Sequence, residues 1–174
     1  MQSAPPSARE ICEEMLALTG EALRNGDFDA FARCFTYPQE FQTFVGQRSL
    51  NNERDLRDVF EAVHTFYSTN GVTDLSRRCV EAAYKKGDEI QAVYETRLLS
   101  GTTIIREAFP VFCSLVRNED GWKIAGTSYA LPSALKTDEE FLKRLTPKSR
   151  EAVISDVEAC KEKTPANRFG EGLD

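Results

Sequence analysis

The sequence predicts an α+β domain in which a curved antiparallel sheet packs on three N-terminal helices, with two extra helices at the C-terminus. Up to about residue 70, apolar side chains recur at three- and four-residue steps, the period of an amphipathic helix. Between residues 77 and 131 they recur at every second position, the period of a half-buried strand. Helix-capping patterns return after Pro132.

The composition is that of one globular domain. A chain of 174 residues can bury enough surface to fold without disulfide bonds, and its five cysteines are odd in number and widely separated. No stretch approaches the roughly 20 apolar residues of a membrane span, and the N-terminus lacks a secretory pattern. The net charge of -6 disfavours binding to phosphate backbones. We therefore expect a cytoplasmic protein that binds neither nucleic acid nor membranes.

Two helices are predicted before residue 40. Apolar residues between Ala8 and Asn25 share one helix face, and Gly26 supplies the stop. Asp27 caps a second helix, in which phenylalanines follow at three- and four-residue steps until Pro38 ends it. An aromatic stripe of this kind is typical of a helix face in the core.

A strand over residues 40–45 precedes a third helix, which Asn51 and Asn52 cap and which extends to about Thr69. Turn sequences that contain glycine then separate four further strands. These strands are predicted at residues 77–84, 89–99, 102–117 and 122–131.

The main domain is predicted to span residues 8–131. Residues 1–7 before it are predicted to be flexible. Capping patterns predict a helical extension over residues 132–163. The last residues, 164–174, have too few apolar side chains to pack and are predicted to be disordered.

Turn lengths predict the register of the sheet. If residues 100–101 form a two-residue loop, Glu95 lies opposite Arg106 and Tyr94 lies opposite Glu107, so that opposite charges meet across the ladder. The next loop, taken as four residues, pairs Arg117 with Trp122 and Leu115 with Ile124. Together the two registers assign one consistent set of side chains to the inner face, the side that packs against the helices.

This inner face is largely apolar, but it carries Tyr94, Glu107 and Ser128. Buried polar groups need hydrogen-bond partners, and an unpaired carboxylate is costly to bury. A pocket that holds water or a small-molecule ligand would satisfy them. Pro110 lies inside the same long strand, where a bulge would reverse the facing of Glu107.

The opposite, outer face is too apolar for a plain solvated surface, because Val93, Phe112 and Tyr129 accompany its charged residues. Either a second copy of the chain or the two C-terminal helices cover it, and both covers stay open at this point. The partner prediction is a homodimer through these three residues.

Two short patterns and the order of elements carry a resemblance to known proteins. One pattern, Gly26-Asp27-Phe28-Asp29-Ala30-Phe31, opens the second helix, and the other, Asn118-Glu119-Asp120-Gly121-Trp122-Lys123-Ile124-Ala125, spans the last hairpin. Over residues 8–131 the chain resembles the nuclear-transport-factor-two-like superfamily, to which SnoaL-like polyketide cyclases and ketosteroid isomerases belong. The resemblance implies a cone-shaped cavity between helices and sheet, often with dimerisation through the sheet. Different members use the cavity for isomerisation, dehydration, cyclisation or binding.

The resemblance also implies positions for functional residues. Ketosteroid isomerases combine a tyrosine, an aspartate base and a buried aspartic acid. The matching positions are Thr19, Thr43 and Cys113, which supply none of these groups, so that chemistry is not expected. We keep these three residues as ligand-binding candidates, and Ser128 joins them because it lies on the predicted inner face.

Glu107 is the first catalytic candidate, because a carboxyl group in an apolar cavity beside Tyr94 could act as a general acid or base. An ion pair with Arg97, or exposure after a bulge, is the alternative interpretation. His64, the single histidine, could shuttle protons from the third helix or be a half-exposed structural residue. Tyr37 could line the mouth of the pocket or seal the core.

The sequence contains no glycine-rich phosphate loop and no dinucleotide pattern, so no cofactor is expected. A single histidine excludes a histidine-rich metal site, and the scattered cysteines lack the spacing of a zinc site, so no metal is expected.

Two functions remain open. The first is a small-molecule pocket protein of unknown ligand, such as a SnoaL-like isomerase, dehydratase or cyclase, that acts on a small, mostly apolar compound through Tyr94, Glu107 and His64. The second is a non-catalytic interaction or dimerisation module whose cone is filled by its own side chains. Polar residues on the inner face favour the first.

Overall fold

The computed structural model describes residues 5–43 and 46–129 and confirms the α+β class. The elements in chain order are α1 (Ala8–Asn25), α2 (Phe28–Ala32), β1 (Phe35–Thr43), β2 (Gly46–Leu50), α3 (Glu53–Thr69), β3 (Asp74–Lys86), β4 (Glu89–Ser100), β5 (Thr103–Asn118) and β6 (Gly121–Tyr129). The predicted helical extension over residues 132–163 and the predicted tail over 164–174 lie outside the described residues.

Local capping groups determine where α1 and α3 begin. The Ser7 hydroxyl accepts a hydrogen bond from the Glu10 N–H (3.2 Å), and the Glu10 carboxylate accepts one from the Ser7 N–H (2.7 Å). Gly26 ends α1 in the left-handed conformation, with φ of 65°. Asn52 caps α3 by accepting a hydrogen bond from the Asp55 N–H (3.1 Å). Of the segment predicted to be flexible, Ser7 is thus held as a cap.

The second helix is shorter than predicted. It ends at Ala32, whereas the phenylalanine spacing predicts a helix up to Pro38. Phe35 instead belongs to β1, where it pairs with Ile124 of β6, and the Cys34 carbonyl accepts a hydrogen bond from the Ile124 N–H (2.8 Å). The long-range pairing with β6 thus takes Cys34 and Phe35 out of the helix before Pro38 is reached.

The six strands form one open sheet in the order β2-β1-β6-β5-β4-β3. Neighbouring strands are antiparallel except β1 and β6, which are parallel, so the sheet is mixed rather than wholly antiparallel. The exception arises because α3 and the β3–β5 meander intervene before β6 returns beside β1. Strand β2, which the sequence pattern does not predict, pairs with β1 and places Arg48 opposite Phe41.

The predicted pairing of β5 with β6 is confirmed close to their turn, where Leu115 lies opposite Ile124. Beyond Ala125 the register shifts by one residue. This bulge reverses the facing of the rest of β6. Two predictions are therefore wrong: Ser128 lies on the outer face, and Tyr129 lies on the inner face.

The predicted pairing of β4 with β5 is wrong. The hairpin loop consists of residues 101–102, and two irregularities follow in β5, so Tyr94 lies opposite Val111 and not opposite Glu107. Glu107 is exposed to solvent. The irregularities lie just ahead of Pro110, and each inserts one residue that the simple hairpin count omits.

The core lies between the inner face of the sheet and the helices. Leu50, Leu56, Ile90 and Leu115 are its least exposed large side chains, each with at most 1 % of its surface exposed. Full burial of one such side chain is worth roughly 1.5–3 kcal/mol, so these residues hold the layers together. None of the described helices is long and apolar enough to cross a membrane.

Candidate functional site

A cavity of about 90 Å³ lies between the inner face of the sheet and α3. Its apolar lining residues are Leu23, Phe31, Phe35, Phe41, Leu56, Val59, Val63, Phe66, Leu98, Phe109 and Ile124. Its polar lining residues are Thr19, Gln39, Tyr67, Arg77, Tyr94, Thr96, Arg106, Thr127 and Tyr129. The volume is below the roughly 300–1,000 Å³ of sites for drug-sized ligands, so the cavity suits a small molecule.

The ladder of the sheet places several of these polar groups side by side. Arg77 of β3, Thr96 of β4 and Phe109 of β5 form one row across the inner face. In the next row, Tyr94 of β4 and Tyr129 of β6 lie on either side of one β5 residue. Because alternate residues of a strand face the same side, both rows point toward the helices.

Arg77 is partly buried, and its guanidinium group lies against α1. Its Nη2 atom donates hydrogen bonds to the Leu16 carbonyl (2.6 Å) and to the Thr19 hydroxyl (3.0 Å). Gly20 leaves room for this group, because a Cβ atom there would lie 2.7 Å from Nη2. Both acceptors are neutral, so these contacts position the positive charge without neutralising it.

Three tyrosines that line the cavity remain protonated: Tyr94 is buried, and Tyr67 and Tyr129 are partly buried. Burial raises the pKa values of Tyr67, Tyr94 and Tyr129, while the nearby Arg77 opposes the rise. The neighbouring Tyr129 raises the pKa of Tyr94 further. Neutral phenols are hydrogen-bond donors, so this part of the cavity offers donors to a ligand.

Arg106 also lines the cavity and lies close to Tyr67. Its guanidinium carbon is 6.0 Å from the centre of the Phe66 ring and 5.9 Å from that of Phe109. Burial lowers the pKa of Arg106, but a guanidinium group stays charged at neutral pH. The cavity therefore holds positive charge on two neighbouring rows of the sheet.

Two polar atoms that face the cavity have no hydrogen-bond partner among the described residues. They are Oε1 of Gln39 and Oγ1 of Thr127, whose residues are 1 % and 7 % exposed. A buried polar group without a partner costs about 1–3 kcal/mol. Water or a ligand in the cavity would remove this cost.

The structure brings two of the predicted site residues to the cavity, Thr19 and Tyr94. Thr43 lies at the end of β1, where its hydroxyl donates to the Gly46 carbonyl (3.3 Å). Tyr37 packs against the core outside the cavity, and burial raises the pKa of its hydroxyl. Cys113 is buried on the inner face beside Cys12 of α1, also outside the cavity.

The remaining three predicted site residues also lie away from the cavity. Glu107 is exposed on β5, because the irregularities in that strand turn it away from Tyr94. His64 is exposed and stacks on Phe60, with ring centres 6.1 Å apart. Ser128 lies on the outer face, where its hydroxyl is 3.4 Å from the Gln42 side-chain oxygen.

Three cysteines meet in the core between α1, β3 and β5. A hydrogen bond to Cys113, together with burial, raises the pKa of Cys12. Burial raises the pKa of Cys79 to about 12. Both thiols are therefore protonated at neutral pH and are poor nucleophiles. In the described part of the chain, no group of three or more His, Cys, Asp or Glu residues could hold a metal ion.

Arg77 is the main cavity-lining residue that the sequence interpretation missed. From the sequence alone, the adjacent arginines Arg77 and Arg78 are interpreted as the solvated end of a strand. The alternation of Leu75, Arg77 and Cys79 is the signal that could have found it, since all three share one face of β3. Arg78 faces away and pairs with Glu95 at the surface.

No family model and no curated protein matches the sequence. Among solved structures, the chain is similar to a domain of unknown function with a cystatin-like fold from Nostoc punctiforme. The identity is 18 %, the TM-score is 0.56, and the match covers 92 % of this chain and 100 % of that one. A candidate dehydratase from the NTF2-like family of Streptomyces avermitilis matches at 15 % identity and a TM-score of 0.52, over 71 % and 96 % of the two chains.

The chain has the NTF2-like, or cystatin-like, fold. A candidate aromatic ring hydroxylase from Novosphingobium aromaticivorans shares it, at 17 % identity and a TM-score of 0.53, over 75 % and 94 % of the two chains. At these identities the likeness concerns the fold alone. A fold does not determine the function, so the residues that line the cavity have to be considered for this chain alone.

Proposed function

We propose that this chain binds a small, mostly apolar molecule in the cavity between α3 and the inner face of the sheet. The proposal rests on two buried atoms in the cavity wall that lack hydrogen-bond partners among the described residues, Oε1 of Gln39 and Oγ1 of Thr127. A core filled by its own side chains would leave both atoms without partners, whereas a bound molecule can hydrogen-bond to them.

The cavity-lining groups support binding and orientation more than proton transfer. Of the described residues that line the cavity, none is His, Asp, Glu or Cys. Its tyrosines are held neutral and its arginines are charged, so both residue types donate hydrogen bonds. Dehydration, the reaction that the name of the candidate dehydratase gives for that protein, would need a base that these residues do not supply.

Thermal unfolding against a panel of small hydrophobic acids, ketones and lactones tests the proposal. A ligand at about 100 times its dissociation constant should add about 2.7 kcal/mol, which is roughly 5 to 11 °C for a domain of this size. Buffer-matched controls without a ring or alkyl group, such as formate, should give no shift. If every compound leaves the unfolding temperature unchanged, the cavity is not a binding site for this class of ligand.

A second function, assembly through the outer face of the sheet, is supported by Phe112. This side chain is 51 % exposed and lies beside Val93 in a groove across β4, β5 and β6. Tyr129, which the sequence assigns to the same surface, is absent from it because the β6 bulge turns it inward. The proposed contact is thus a homodimer built on Phe112 and Val93.

Sedimentation of the Phe112→Asp variant tests this surface. The change puts a charge into the centre of the proposed contact, so a dimeric parent should become a monomer at micromolar concentration. Ile104→Asp, at an apolar residue that is 46 % exposed next to the β4–β5 turn, is the matched control and should leave assembly unchanged. Equal sedimentation of the parent and the Phe112→Asp variant removes Phe112 from any interface.

A further inference from the structure

The cavity wall contains a partly buried positive charge, that of Arg77, for which the described residues supply no counter-ion. The guanidinium group of Arg77 makes no ion pair with any Asp or Glu in residues 5–43 or 46–129. No carboxylate is present among the described residues that line the cavity. A charge that is partly removed from water is normally paired with an opposite charge, because its lost hydration must be replaced. An anion in the cavity would supply the missing partner.

The hydrogen bonds of Arg77 leave part of its guanidinium group available. Nη2 is engaged with the Leu16 carbonyl and the Thr19 hydroxyl. A guanidinium group has five N–H donors, and among the described residues no acceptor contacts those on Nε and Nη1. Contact with α1 therefore positions the group while some of its donors remain open to a ligand.

The neighbouring polar groups also suit an anion. Tyr94 and Tyr129 lie in the row next to Arg77, and burial keeps both phenols protonated. Arg106 adds a second positive charge in the row on the opposite side of Arg77 from the two tyrosines. Oxygen atoms of an anion accept hydrogen bonds from groups of this kind, and charge-assisted bonds are about twice as strong as neutral ones.

The apolar lining residues indicate what the body of the ligand is like. Eleven of its twenty lining residues are apolar, and five of those eleven are phenylalanines. This wall matches a compact ring or a branched alkyl group, and the volume of about 90 Å³ leaves no room for a second large polar group.

We propose that the ligand is a small monocarboxylic acid with an apolar body, bound as the carboxylate with Arg77 as its counter-ion. This inference rests on the proposed function, since it names the class of molecule that the same cavity binds. The carboxylate lies toward Arg77, Tyr94 and Tyr129, and the apolar body lies toward the phenylalanine wall.

Matched acid and amide pairs test the inference by calorimetry. The probes are benzoate with benzamide, cyclohexanecarboxylate with cyclohexanecarboxamide, and hexanoate with hexanamide. The members of each pair have almost the same shape and differ in charge. At least one acid should bind 10-fold or more tightly than its amide, because hydrogen bonds to a charged group are the stronger ones.

The Arg77→Gln variant should weaken binding of that acid by about 10- to 100-fold and change binding of its amide by less than about threefold. Arg97→Gln removes the same charge from an exposed position on β4 and should leave both affinities unchanged. Gly20→Ala is the second variant, because its methyl group would displace the Arg77 guanidinium without removing the charge. This variant should also weaken binding of the acid more than binding of the amide. Alanine favours a helix more than glycine does, so the fold should be retained.

The possible failures are distinguishable. If amides bind as tightly as acids and Arg77→Gln changes neither affinity, the counter-ion role is wrong and the cavity still binds neutral molecules as proposed. If no acid and no amide binds the parent chain, the proposed function fails and the inference fails with it. If Arg77→Gln does not fold, as judged by circular dichroism, Gly20→Ala decides: an unchanged ratio of acid to amide affinity overturns the inference.

Discussion

Replacing Phe60 with alanine should lower the free energy of unfolding by about 3–5 kcal/mol. Phe60 lies in α3 and is 5 % exposed. Its ring is 5.4 Å from that of Phe28 in an edge-on contact and 5.1 Å from that of Phe31. These contacts join α2 to α3 above the sheet, so truncation leaves a hole where two helices meet and removes the aromatic pairing as well.

Urea unfolding at neutral pH measures the loss of unfolding free energy. In a thermal melt, the unfolding temperature should fall by roughly 6 to 20 °C. The matched control is Phe112→Ala, which truncates the same side chain at a position that is 51 % exposed and should cost about 1 kcal/mol or less. Similar losses for the two variants would mean that the aromatic cluster of α2 and α3 is not part of the cooperative core.

Replacing Thr96 with phenylalanine should abolish the stabilisation that a ligand provides. Thr96 is 5 % exposed and lies between Arg77 and Phe109 in the row that faces the cavity. A phenyl ring at this position would occupy most of a space of about 90 Å³. The ligand-dependent gain of about 2.7 kcal/mol at 100 times the dissociation constant should therefore disappear.

The control for this variant is Thr96→Val, which keeps the shape of the side chain and removes only its hydroxyl group. It should retain most of the ligand affinity. The phenylalanine variant itself should fold, because its ring fills an existing cavity and overpacking costs typically about 1–3 kcal/mol. Undiminished ligand binding by Thr96→Phe, measured by calorimetry, would place the binding site elsewhere.

The helices could be predicted from the sequence because their boundaries depend on local chemistry. The Ser7 and Asn52 caps and the left-handed Gly26 act within one turn of chain, so sequence spacing is sufficient to find them. The predicted end of α2 was wrong because the observed end depends on a contact that is distant in sequence. Phe35 joins β1 because of its pairing with Ile124, a contact between residues far apart in sequence.

The facing of strand residues was harder to predict than the presence of the strands. Each bulge adds one residue and reverses every side chain that follows. Pro110 indicates that β5 is irregular, but it does not give the exact positions of the bulges, and β6 contains no proline. Glu107, Ser128 and Tyr129 were consequently assigned to the wrong environment. Tyr94 and Thr19 do line the cavity, since Tyr94 lies in the regular part of β4 and Thr19 lies on a well-capped helix, and their part in ligand binding stays a prediction.

The most direct test of the central claim is the unfolding temperature of the parent chain and of Thr96→Phe, measured side by side with benzoate, cyclohexanecarboxylate and hexanoate. We expect at least one acid to raise the unfolding temperature of the parent by roughly 5 to 11 °C and that of the variant by none. If no acid stabilises the parent, or if the variant gains as much as the parent, the cavity between α3 and the sheet is not the binding site.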